Sequence, residues 1–148
     1  MKDPRPQLQE ALKDAMKNGD KARRDVIRVL QSAIKQVEVD TRKDLSAEDV
    51  VAVLQKEVKM RRESIDEMES SGRTEHLQQT RDEVEIIQAF LPEQLSHDEI
   101  KALVQQIIAD TGAESARDTG KVMAALMPQI KGRADGTLAS QVVRELLS

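Results

Sequence analysis

The chain has 148 residues, of which 39% are hydrophobic and 34% charged, a length that suits one ordinary domain or two small ones. It has no cysteine, which excludes disulfides, thiolate zinc sites and cysteine nucleophiles. Phe90 is the only aromatic residue, and a core drawn from Leu, Ile, Val, Ala and Met favours an all-α fold over a sheet.

A first helix is predicted to start at Pro4 to Pro6, because proline fits a first turn, and to run along a stripe of Leu8, Ala11, Leu12, Ala15 and Met16. Asn18-Gly19 ends it and Asp20 caps the next helix. That second helix carries Ala22, Val26, Val29, Leu30, Ala33, Ile34 and Val37 on one side and fades between Asp40 and Asp44. Ser46-Ala47-Glu48-Asp49 has the form of a capping box. The third helix follows with Val50, Val53, Leu54, Val58, Ile65 and Met68, and stops at Ser70-Ser71-Gly72. A fourth is predicted from about Thr74 to Phe90, with Leu77, Val84, Ile87 and Phe90 as its apolar side.

Pro92 disfavours helix at Leu91, so Pro92 to Leu95 is read as a linker between an N-terminal domain (1–91) and a C-terminal domain (96–148). Ser96-His97-Asp98-Glu99 is a second capping box, followed by Ile100, Leu103, Val104, Ile107 and Ile108, and Gly112 ends that helix. Asp118 is placed to cap a sixth helix, Thr119 to Ile130, with Val122, Met123, Leu126 and Met127 in the core. The chain turns through Lys131 to Gly136, and a last helix runs to Leu147 through Leu138, Val142, Val143 and Leu146. The expected architecture is about four helices in the first part and three in the second, which is small enough to be marginal alone.

Residues 1–95 carry 17 basic and 20 acidic side chains, and residues 96–148 carry six and seven, so any nucleic-acid binding needs a local patch. The polar N-terminus has no signal-peptide core, and no run approaches the ~18 apolar residues of a membrane span. A cytoplasmic location with no membrane partner is therefore expected. Gly120-Lys121 fails the phosphate-loop pattern, since Ser115 and Val122 stand where glycine and Ser or Thr are needed. His76 and His97 are isolated from each other and from clustered carboxylates, so no metal site, no cofactor and no catalytic residue is assigned. Glu83, Glu85 and the Asp66-Glu67-Glu69 cluster are read as a solvated face.

Two basic groupings carry the binding question. Arg23, Arg24 and Arg28 crowd the start of the second helix, while Lys56, Lys59 and Arg62 share one face of the third. Arg28, Lys56, Lys59 and Arg62 make a secondary basic patch, against a competing reading in which Glu38, Asp49, Glu63 and Glu67 neutralise them. In the C-terminal part, Gly120 and Lys121 open one helix, and Lys131, Gly132 and Arg133 precede another that opens at Gly136. Helix N-termini expose N–H groups, and glycine permits close approach of a phosphate, so these residues form a candidate RNA-binding site. Two caps and a tight turn would use the same residues. With no aromatics to stack on single-stranded bases, the RNA would be structured and read through shape and phosphates.

Asp118-Thr119-Gly120-Lys121-Val122-Met123, Met127-Pro128 and Lys131-Gly132-Arg133-Ala134-Asp135-Gly136 resemble the signature of the YqeY family. The C-terminal part is similar to the tail of GatB, the B subunit of the tRNA-dependent amidotransferase. Further matches are Arg28 with Ser32-Ala33-Ile34-Lys35, Lys56 to Lys59 with Arg61 and Ser64, Gly72-Arg73, and Leu91 to Ser96. Thr119 departs from the family's usual methionine, and Glu75-His76 from its usual Asp-Leu. The resemblance implies a non-catalytic, tRNA-facing helical protein whose partners are tRNA or an amidotransferase-related complex. Alternatives are a subunit or relative of a carbon–nitrogen ligase with glutamine as amide donor, and a protein–protein adaptor.

Overall fold

In a computed structural model, which describes residues 1–148, the chain forms seven α-helices, one 3-10 turn and no strand. By packing it divides into two compact units, Met1–Leu91 and Pro92–Ser148.

The first unit holds α1 (Pro4–Lys17), α2 (Lys21–Thr41), α3 (Ala47–Ser71) and α4 (Leu77–Gln88). Asp3 caps α1 by accepting from Arg5 N at 2.9 Å, and its carboxylate pairs with the Arg5 guanidinium at 2.7 Å. Arg5 Nη2 also donates to Leu45 O at 2.8 Å, so one side chain ties the chain start to the loop before α3. The Ser46–Asp49 capping box forms in both directions, at 3.1 Å each. Leu8, Ile27, Leu30, Leu54 and Ile87 are fully buried at the centre.

The core stripes differ from the predicted ones in identifiable places. On α2 the buried set is Val26, Ile27, Leu30 and Ile34, while Ala22 is exposed and Val29 is 46% exposed. The inward face is rotated toward Ile27 because α2 packs against α1, α3 and α4 together. Met16 on α1 is 55% exposed. Thr74 to His76 form a turn rather than helix, and α4 begins at Leu77 with no side-chain cap. Phe90 lies beyond the end of α4, yet it is buried under the Arg23 guanidinium, whose Cζ is 5.6 Å from the ring centroid.

The second unit holds α5 (His97–Thr111), a 3-10 turn (Ala116–Asp118), α6 (Thr119–Ile130) and α7 (Gly136–Leu147). Its core is Ile100, Val104, Ile107, Ala113, Val122, Leu126, Ile130, Ala139, Val142, Val143 and Leu147. The segment before α5 is strapped to the turn between α6 and α7. Leu95 N donates to Arg133 O at 2.8 Å, Gln94 Nε2 to Gly132 O at 2.9 Å, and Arg133 Nε to Glu93 O at 3.3 Å. Gly132 has φ +76°, a left-handed value that favours glycine, and this turns its carbonyl into the strap. Met127 is 40% exposed rather than in the core, because it falls on the outer side of α6.

Candidate nucleic-acid interface

The C-terminal candidate residues occupy the two ends of α6. Gly120 and Lys121 lie in its first turn, while Lys131, Gly132 and Arg133 follow its last residue. Lys131 stands ten positions after Lys121, just past the end of α6, about 15 Å along the axis. They therefore do not converge on one phosphate, and a nucleic acid touching both would do so through separate phosphates.

Each end has its own local chemistry. Asp118 does not cap α6 through its side chain. Its carboxylate reaches back to accept from Glu114 N at 2.9 Å and Ser115 N at 3.4 Å, because the 3-10 turn runs directly into α6. Those N–H groups, and then the charge of Lys121, hold the Asp118 carboxyl below the usual carboxylate value. A carboxylate with a depressed folded pKa adds stability above its unfolded pKa and loses it as pH falls through the folded one. Asp118→Asn is therefore expected to be less stable than the parent near pH 7, with a gap that narrows as pH falls through the folded pKa, as measured by urea unfolding at neutral and at acidic pH. A constant gap at both pH values would show that the charge contributes nothing.

Lys121 is exposed, and its Nζ donates to Thr111 O at 3.0 Å, closing the C-terminus of α5. An ammonium has three donors, so this bond leaves others for a ligand. Gly120 is exposed, has no left-handed φ, and a Cβ placed on it would meet nothing within 4 Å. Nothing in the fold requires glycine there. At the other end Lys131 is exposed, Gly132 is buried and Arg133 is half-buried, so the turn is less open than the sequence suggested.

In the first unit, Lys56, Lys59 and Arg62 are all exposed on α3. Arg28 is exposed on α2 and leans on α1, with Nη2 3.9 Å from Met16 Sδ. Arg24 pairs with Asp25 at 3.0 Å. Glu38 and Asp49 pair with Arg5 and Lys43 rather than with this patch. His76 and His97 are both exposed.

The family description "Yqey-like protein" matches residues 5–147. The chain belongs to the YqeY-like family. It is also similar to the mitochondrial protein named altered inheritance of mitochondria protein 41 from Pyrenophora tritici-repentis (strain Pt-1C-BFP). The two are 27% identical over 145 residues, covering 96% of this chain and 80% of that protein. No helix is long and apolar enough to cross a membrane.

Within the YqeY-like resemblance, Arg61 and Ser64 of α3 and Arg73 beyond its end line one cavity of about 480 Å³ in the first unit. Its wall is fixed by an ionic cluster that sequence reasoning missed. Glu57 is the only buried charged residue in the chain, at 7% exposure. Arg61 pairs with it at 3.4 Å and with Glu83 of α4 at 2.9 Å. The four-residue spacing of Glu57 and Arg61 was a readable signal. Glu83 had none, because its partner is 22 residues away.

Proposed function

We propose that this YqeY-like chain is a non-catalytic binding module of the cytoplasm that faces tRNA, alone or within an amidotransferase-related complex. Gly120 is the observation that carries the reading. A glycine in a helical turn costs up to about 0.5–1 kcal/mol relative to alanine, and the surrounding structure returns nothing for it. The preceding 3-10 turn already takes the Thr119 N–H, so what Gly120 offers is a backbone with no side chain beside Lys121, which lets a phosphate come close to that ammonium. Lys131 and Arg133 supply a second phosphate contact at the far end of α6.

The test separates fold from function. Gly120→Ala is expected to raise thermal stability slightly while weakening tRNA binding, a combination that a purely structural glycine cannot give. Lys121→Gln with Lys131→Gln is expected to lower the slope of log affinity against log salt by about two, one for each lost phosphate contact. Arg133 is left intact because its side chain also holds Glu93. Equal tRNA binding by parent and all variants at every salt concentration would remove the assignment. Release of ammonia from glutamine by the purified chain would favour the carbon–nitrogen ligase reading instead.

A further inference from the structure

A groove on the first unit has a chemistry opposite to that of a nucleic-acid site. It lies where α2 faces α4, with a volume of about 320 Å³. Its floor is apolar, made by Val26 and Val29 of α2 and Ile86 of α4, and Val29 is nearly half exposed. Its walls carry Asp25 on α2 and Asp82 and Glu83 on α4. The only basic residue lining it is Arg61, already shared between Glu57 and Glu83. Asp25 engages Arg24 through Oδ1, and Asp82 accepts from Gln78 through Oδ1, so Oδ2 of each faces solvent with no donor from the chain.

We infer that this groove docks an arginine or lysine side chain, with a neighbouring apolar residue, from a basic segment of a protein partner. Long basic side chains combine an apolar stem with a cationic head. The stem matches the Val26, Val29 and Ile86 floor, and the head reaches the open oxygens of Asp25 and Asp82. The volume suits one or two side chains rather than a whole helix. Asp82 has no cationic partner, whereas Glu83 is held by Arg61 and Asp25 by Arg24 through one oxygen, so the groove offers a phosphate backbone no free cation; this surface is separate from the proposed tRNA contacts, and its test does not depend on them.

The probe is a blocked Leu-Arg dipeptide, acetylated and amidated, titrated into the isotope-labelled full chain and followed by NMR. Signals of Asp25, Val29, Asp82 and Ile86 are expected to shift. The Leu-citrulline analogue, which keeps the shape and removes the charge, is expected to bind at least about fivefold more weakly. Asp25→Asn/Asp82→Asn is expected to erase that preference with the helical spectrum unchanged, since both residues are exposed. Val29→Asn is expected to weaken both peptides, because it interrupts the floor. Equal binding of the two peptides, or shifts confined to other carboxylates such as Asp66 and Glu67, would overturn the inference. Self-association of the chain that Asp25→Asn/Asp82→Asn abolishes would assign the groove to a second copy and overturn it equally.

Discussion

Arg61→Met is expected to destabilise the first unit by about 2–3 kcal/mol, with a fall in melting temperature of roughly 10–20 °C. The cause is the charge left behind. Arg61 is the cation facing the buried Glu57, and it also reaches Glu83 across the α3–α4 contact. Removing one member of a buried pair costs about 3–5 kcal/mol, and the partial exposure of Glu83 to water reduces that figure. The same argument predicts a rescue. Glu57→Gln added to Arg61→Met removes the stranded charge at its source and is expected to recover most of the loss. Guanidinium unfolding of the three proteins checks both steps. If the single variant falls by less than 0.5 kcal/mol, or the double variant is no better, the cluster is not a stabilising contact between α3 and α4.

Chain punctuation was legible because its causes are local. Ser46 with Asp49 and Ser96 with Glu99 form their boxes as written, and Gly72 and Gly112 stop helices in the left-handed conformation. What the sequence misplaced was decided by neighbours. Val29 satisfies the helical period, yet α2 turns Ile27 inward instead, since three other helices pack on it. Asp118 has a capping residue's identity, but a preceding 3-10 turn gives its carboxylate nearer donors at Glu114 and Ser115.

The candidate site shows the same division between local and distant causes. Short motifs identified Lys121, Lys131 and Arg133, but adjacency along a motif concealed the helix that separates them. The bond from Arg133 to Glu93 spans 40 residues, and no spacing rule reaches that far. The acid-walled groove was equally hidden, because Asp25 and Asp82 meet only once α2 and α4 pack.

Leu126→Ala is expected to unfold the second unit selectively. Leu126 is fully buried in a core whose other members all lie between Ile100 and Leu147. Truncating such a leucine costs about 2–5 kcal/mol, through lost transfer energy and a cavity that the neighbours only partly fill. A unit the size of Pro92–Ser148 has only about 3–8 kcal/mol in total, from the usual stability per residue, so the loss is comparable with the whole. The core of the first unit draws on Leu8 through Phe90 and shares no residue with it. Amide exchange is therefore expected to lose protection at Val104, Leu126 and Val143 while Leu30, Leu54 and Ile87 keep theirs. Binding to tRNA is expected to disappear with the second unit, and docking of the Leu-Arg peptide to persist on the first. Simultaneous loss of protection in both sets would mean that the chain unfolds as one cooperative body, and the proposed division into two domains would fail. Retained protection at Leu126's neighbours would mean that this core repacks around the cavity, and a second truncation at Val104 would then be needed to reach the same expected unfolding.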